Sequence, residues 1–239
     1  MKKLWVIPDI HGNSRTLQAL IKQQIKPSRS DRLIFLGDYI DRGPDAKGVI
    51  DFIIDLQKDE YDIITLKGNH EDFLLRTFEN ETTQKNIFGI TYRDKLKKEW
   101  FKYGGKETLK SFGVSDVHEI PESYIHWMRD LEYYTESDSF ILVHAGLNFE
   151  LEDPFEDQYA MMWIKDFKVI PEKIGFKKVI HGHVPISLEF INLLRSSSKF
   201  DYIDLDNGVY MPEKEGFGNL VAMELVSMEM MIQPNLDME

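Results

Sequence analysis

The sequence contains no cysteine. That excludes a disulfide framework, thiolate nucleophiles and thiolate metal ligands, and it agrees with a cytoplasmic location. Any metal must be held by His, Asp, Asn or Glu, which suits hard or borderline ions such as Mn, Fe and Zn. Long apolar runs are missing too. None reaches about 18 residues, so no transmembrane helix and no membrane partner are expected. The N-terminal stretch Leu4-Trp5-Val6-Ile7 is too short for the core of a signal peptide and soon meets Asp9, so it reads as a first strand. Basic residues are in deficit. The 29 Lys and Arg against 41 Asp and Glu leave a formal net charge of −12, which argues against a nucleic-acid partner. A phosphate substrate is not excluded, because a small site becomes locally positive once divalent cations sit in it. Repeats and low-complexity segments are absent, and 239 residues supply a core for one domain over 1–239.

What is present is a set of short apolar runs, each ending in a knot of Asp, Asn, His and Gly. Lys3 to Ile7, Leu33 to Leu36, Tyr61 to Leu66, Phe140 to His144, Lys178 to His181 and Tyr202 to Leu205 read as strands. Their continuous rather than alternating hydrophobicity indicates burial on both faces. Between the first three lie helical spacings, Ser14 to Ile25 behind an Asn13 N-cap and Asp45 to Leu56 with Val49, Ile50, Ile53 and Ile54 inward. A helix starts near His70. This alternation predicts an α/β (α+β) chain with a largely parallel sheet. From about 77 to 135 charges are dense, with helical segments near Trp100, over Lys106 to Phe112 and over Ser123 to Leu131, which reads as a helical insertion beside the site. Leu220 to Val226 and Met228 to Ile232 predict a closing antiparallel pair.

The knots are Asp9-Ile10-His11-Gly12, Gly37-Asp38-Tyr39-Ile40-Asp41-Arg42-Gly43, Gly68-Asn69-His70-Glu71, His144-Ala145-Gly146 and His181-Gly182-His183. In a strand, residues i and i+2 share a face, so Asp9 and His11 can enter one site. Asp38 adds a carboxylate with two oxygens, able to bridge two ions; Asn69 adds an amide oxygen, His144 and His183 imidazole nitrogens. Six such ligands form the inventory of a two-metal site, in which ions roughly 3.5–4 Å apart activate a shared water for in-line attack on phosphorus. Arg42 and Lys165 are the cations for gripping phosphoryl oxygens, with Asn69 beside them. His70, oriented by Asp41, serves best as the general acid that protonates the leaving oxygen.

This motif set, in this order, resembles that of the calcineurin-like metallophosphoesterases. The form Gly-Asp-x-x-Asp-Arg-Gly at Gly37–Gly43 is closer to the phosphoprotein phosphatase branch, with its bacterial and phage-type protein phosphatases and the symmetrical diadenosine tetraphosphatases. The resemblance implies a four-layer α-β-β-α sandwich of two mixed sheets. It implies two divalent metal ions, Mn first among them. Asp9, His11 and Asp38 would hold one ion, and Asp38, Asn69, His144 and His183 the other. It implies His70 with Asp41 as the acid pair and Arg42 on the phosphate. Two positions depart from the pattern: Pro8 stands where the first motif usually has Gly, and Lys165 where many relatives place an arginine after Trp163. Lys offers a point charge rather than a fork.

The plainer readings apply to His181 as a strand end, to His118 and His126 as surface histidines, to Asp206 as a turn former, and to Trp100 and Trp163 as core. Three functions follow from this. The first is a serine/threonine protein phosphatase-like phosphomonoesterase acting on phosphorylated protein, peptide or small phosphoester. The second is a symmetrical dinucleoside polyphosphate hydrolase. The third, remote, is a non-catalytic binding module.

Overall fold

The computed structural model describes residues 2–83 and 92–238, so positions 84–91 of the expected insertion lie outside the described residues. Strands β1 (Leu4–Ile7), β2 (Arg32–Phe35) and β3 (Asp62–Thr65) run parallel, and β8 (Asn219–Glu224) and β9 (Met230–Pro234) extend this sheet antiparallel in the order β3-β2-β1-β8-β9. A second sheet has the order β4-β5-β6-β7, from β4 (Tyr134–Glu136), β5 (Phe140–Val143), β6 (Lys178–His181) and β7 (Tyr202–Asp204). Only its β4–β5 pairing is antiparallel. Both sheets are therefore mixed, as expected.

Alternation within each strand builds the layers, since successive side chains point to opposite faces. Val6, Ile34 and Leu36 from the first sheet meet Leu142, Ile180 and Ile203 from the second in one buried cluster. The opposite residues of the first sheet, Trp5, Ile7, Leu33 and Phe35, pack under α1 (Ser14–Ala19) and α2 (Ala46–Lys58) through Leu17, Val49, Ile50 and Ile53. On the far side of the second sheet, Ile141, Val143 and Val179 pack with Met161 of α7 (Gln158–Trp163). No helix among the described residues is long and apolar enough to cross a membrane.

Helix starts follow local chemistry where an acceptor is at hand. Asp45 takes the Gly48 N–H at 2.9 Å to start α2, and Asp157 takes the Ala160 N–H at 2.9 Å to start α7. Asn13 does not cap α1. Its amide donates to the Ile10 and His11 carbonyls, both at 2.8 Å. The cap comes from Asp237, whose carboxylate accepts the Arg15 and Thr16 N–H groups at 2.9 and 2.8 Å and the Thr16 hydroxyl at 2.6 Å. We expect Asp237→Ala to lower stability by about 1 kcal/mol, the usual worth of such a cap. Urea unfolding checks this, and an unchanged midpoint would mean that water caps α1 equally well. The helix predicted to Ile25 is α-helical only to Ala19 and widens to a π-helical turn over Leu20–Ile25. There Gln24 reaches β9, donating to Gln233 Oε1 at 2.7 Å.

Between β3 and β4 lie α3 (Asn69–Thr83), α4 (Tyr92–Lys102), α5 (Gly105–Phe112) and α6 (Glu122–Arg129). The insertion ends earlier than expected, because Tyr134 and Thr135 pair with Val143 and Leu142 in the second sheet. Trp100 is fully buried, in line with its reading as a core residue.

Candidate metal centre and acid pair

All five knots fall at the carboxyl ends of parallel strands, so the two sheets bring them to one edge. The loop after β1 carries Asp9 and His11, that after β2 carries Asp38 to Gly43, and Asn69 and His70 open α3 after β3. His144 follows β5 and His183 follows β6. Glycines permit the approach. A Cβ on Gly68 would overlap Asp38 Oδ1, and one on Gly182 would overlap Asp9 Oδ1. Among the described residues, five of the nine non-glycine positions with positive φ belong to the site: His11, Asp38, Asp41, Arg42 and His183. Left-handed backbone at non-glycine positions costs energy, and its concentration here marks a site whose geometry the surrounding structure enforces.

Asp38 is the centre of the cluster. Two groups of potential ligands converge, His11 with Asp38 and His70, and Asp38 with His144 and His183, and Asp38 alone belongs to both. Its Oδ2 lies 3.6 Å from His11 Nε2, and its Oδ1 lies 3.5 Å from His144 Nε2. Burial opposes ionisation of Asp38, but the imidazoles of His144, His70, His11 and His183 outweigh it and hold the carboxyl far below its ordinary range. Asp9 lies 3.9 Å from His11 Nε2 and accepts the His183 N–H at 3.1 Å. Burial, Asp206 and Asp38 push its pKa up.

The donor set fits divalent cations. His11 donates Nδ1–H to the Ile40 carbonyl at 3.0 Å, and His144 donates Nδ1–H to the Leu36 carbonyl at 3.0 Å. Carbonyls only accept, so in both rings the Nε2 lone pair is left facing the site. Asn69 Oδ1 sits 3.0 Å from His144 Nε2 and 2.9 Å from His183 Nδ1. Burial depresses the pKa of His11, His144 and His183, the last to about 3, which keeps these rings neutral as ligands must be. Buried lone pairs and carboxylates thus converge, and a divalent cation between them would satisfy both.

Beside this cluster stands the His70–Asp41 pair. His70 Nδ1 lies 2.6 Å from Asp41 Oδ2, and its Nε2 lies 3.9 Å from Asp38 Oδ2. Burial alone would depress His70; Asp38 and the Asp41 hydrogen bond reverse the sign and raise its pKa. Arg42 Nη2 lies 3.3 Å from His70 Nε2, and its guanidinium lies 3.9 Å above the Tyr210 ring. Lys165 is exposed two residues past α7, and no described hydrogen bond or ion pair joins it to the cluster.

Sequence reading passed over several groups that build the site. Glu71 is buried and accepts the N–H groups of Tyr39 at 2.9 Å and of Asp38 and Gly68 at 3.0 Å, which fixes the loop that carries Asp38. Burial and Asp38 push its pKa up, against these backbone donors. Asp206 does shape a turn, accepting the Gly208 N–H at 2.7 Å, but its other oxygen is buried without a hydrogen-bond partner. Tyr210 packs edge-on against His11 at 5.0 Å. His181 ends β6 and packs on Phe167 and Tyr202 outside both ligand groups, as its plainer reading required.

Comparison with known proteins agrees with this geometry. Serine/threonine-protein phosphatase 2 of Escherichia coli K12 is 36% identical over 78 residues, covering 33% of this chain and 34% of the relative. The symmetrical bis(5'-nucleosyl)-tetraphosphatase of Cellvibrio japonicus is 27% identical over 145 residues, covering 60% of this chain and 44% of the relative. The matches thus span less than half the length of these curated relatives. The fold is similar to that of a serine/threonine phosphatase from Saccharomyces cerevisiae, with a TM-score of 0.61 and 14% identity over 100% of this chain and 81% of the other. It is also similar to a metallophosphoesterase from Sphaerobacter thermophilus, with a TM-score of 0.51 and 13% identity over 98% and 88%. The sequence profile of the calcineurin-like phosphoesterases matches residues 2–207, and the chain belongs to that family.

Proposed function

We propose that the protein is a di-metal-dependent phosphoester hydrolase acting as a serine/threonine protein phosphatase-like phosphomonoesterase. The observation that carries this reading is the pair of ligand groups sharing Asp38, with the His70–Asp41 pair at its edge. Asp9, His11 and Asp38 would hold one ion, and Asp38, Asn69, His144 and His183 the other. When bound, two such ions supply an activated water and neutralise the charge on the phosphoryl oxygens. The chain's own residues do the rest. Arg42 grips a non-bridging oxygen. His70 gives its Nε2 proton to the ester oxygen as the P–O bond breaks, and Asp41 stabilises the imidazolium beforehand. Lys165 would contact a larger substrate at the rim.

A second reading, a dinucleoside polyphosphate hydrolase, is favoured by three lysines near Arg42. Lys102 ends α4, Lys106 and Lys110 lie one turn apart on α5, and with Arg42 and Glu107 they line two cavities of ≈ 500 and ≈ 480 Å³. None of the three lysines has an ion-pair partner among the described residues. The readings separate on Mn-loaded protein. We expect kcat/KM for a phosphothreonine peptide to exceed that for diadenosine tetraphosphate, and the reverse preference would overturn the first reading.

A further inference from the structure

The helices between β3 and β4 read, in sequence, as an insertion beside the site. Two of them contact the Asp41 carboxylate directly. Asp41 is completely buried, and both of its oxygens are taken. Trp100 of α4 donates its indole N–H to Oδ2 at 2.9 Å, the same oxygen that faces His70. Thr108 of α5 donates its hydroxyl to Oδ1 at 2.5 Å and accepts the Asp41 backbone N–H at 2.9 Å. Trp100 and Thr108 are themselves fully buried. Between them, Gly104 and Gly105 let the corner sit directly on its neighbours. A Cβ on Gly104, whose φ is +105°, would overlap the Arg42 backbone nitrogen, and one on Gly105 would enter the Trp100 ring.

We infer that Trp100 and Thr108 are positioning residues for the general acid: together they hold Asp41 so that it accepts the His70 Nδ1–H and aims Nε2 at the leaving oxygen. The inference rests on the assignment of His70 as the acid. Its physical content is simple. A carboxylate with one unoccupied side can rotate, or turn its better oxygen to another donor, and an imidazole bonded to it turns with it. Two neutral donors from two helices remove that freedom and add no charge to compete with His70. The insertion thereby becomes part of the catalytic apparatus, and the sequence pattern Trp100-x-x-x-Gly104-Gly105-x-x-Thr108 is its trace.

The test uses leaving groups. Trp100→Phe keeps the ring and removes the N–H; Thr108→Val keeps the shape and removes the hydroxyl; Thr108→Ser restores it. For phenyl phosphate, whose leaving group has a pKa of about 10 and needs a proton, Trp100→Phe and Thr108→Val should each lower kcat by about 10- to 100-fold, the usual cost of losing an orienting partner. KM and metal content should stay unchanged. For p-nitrophenyl phosphate, whose leaving group needs little protonation, kcat should fall far less. Thr108→Ser should recover the activity toward phenyl phosphate. Equal losses on both esters, or loss of metal, would mean a purely structural role and overturn the inference. His70→Asn run in parallel separates the two levels. If it is selective for phenyl phosphate and the other variants are not, only the positioning role fails. If His70→Asn is itself unselective, the acid assignment fails and takes the positioning role with it.

Discussion

His70→Asn is expected to keep its metal and lose about 10²–10⁴-fold in kcat toward esters with poor leaving groups. His70 Nδ1 is committed to Asp41 at 2.6 Å, which leaves only Nε2 for chemistry. That nitrogen lies 3.9 Å from Asp38 Oδ2, and His70 groups with His11 and Asp38, so proximity alone does not distinguish an acid from a ligand. Its surroundings do. Asp38 and Asp41 raise its pKa, whereas His11, His144 and His183 are all depressed. A ring pushed toward its protonated form is suited to give a proton, and rings kept neutral are suited to bind metal. Elemental analysis with steady-state kinetics decides the matter. Loss of an ion in His70→Asn would make His70 a ligand.

Asp38→Asn should have the opposite signature, with most of the bound metal lost and turnover lost along with it. Asp38 reaches His11 with one oxygen and His144 with the other, so it joins two ligand groups that otherwise share no residue. Asparagine keeps the shape and replaces one oxygen and the charge. The Asp38 Oδ1 bond from the His70 N–H at 3.1 Å can survive with an amide oxygen, so the loop itself should persist. Full occupancy in Asp38→Asn would contradict the bridging role.

Much of this site was legible in the sequence because the ligands lie in short local motifs at strand ends, where hydrophobic run and polar knot abut. Asp9, His11, Asp38, Asn69, His144 and His183 lie together at these strand ends, although Asp9 and His183 are 174 positions apart in sequence. Parallel strands place every carboxyl end on one side, which turns distance in sequence into proximity. The strands themselves were legible for the same reason. What the sequence hid depends on partners that no local pattern announces. Trp100 reads as an ordinary core aromatic, yet its indole N–H reaches Asp41. Glu71 resembles an ordinary acidic residue in the first turn of a helix but holds the Asp38 loop through its backbone. The cap of α1 comes from Asp237, more than 200 residues away, while the nearby Asn13 turns back to its own loop. In each case a local residue type was right for one role, and tertiary packing gave it another.

The central claim is a two-metal site organised on Asp38. It is tested most directly by anomalous diffraction at the manganese edge from crystals of the Mn-loaded protein. The account predicts two peaks flanking Asp38, one beside Asp9 and His11 and one between His144 and His183, with His70 Nε2 outside both coordination shells. A single peak, or a peak bound to His70 Nε2, would contradict it.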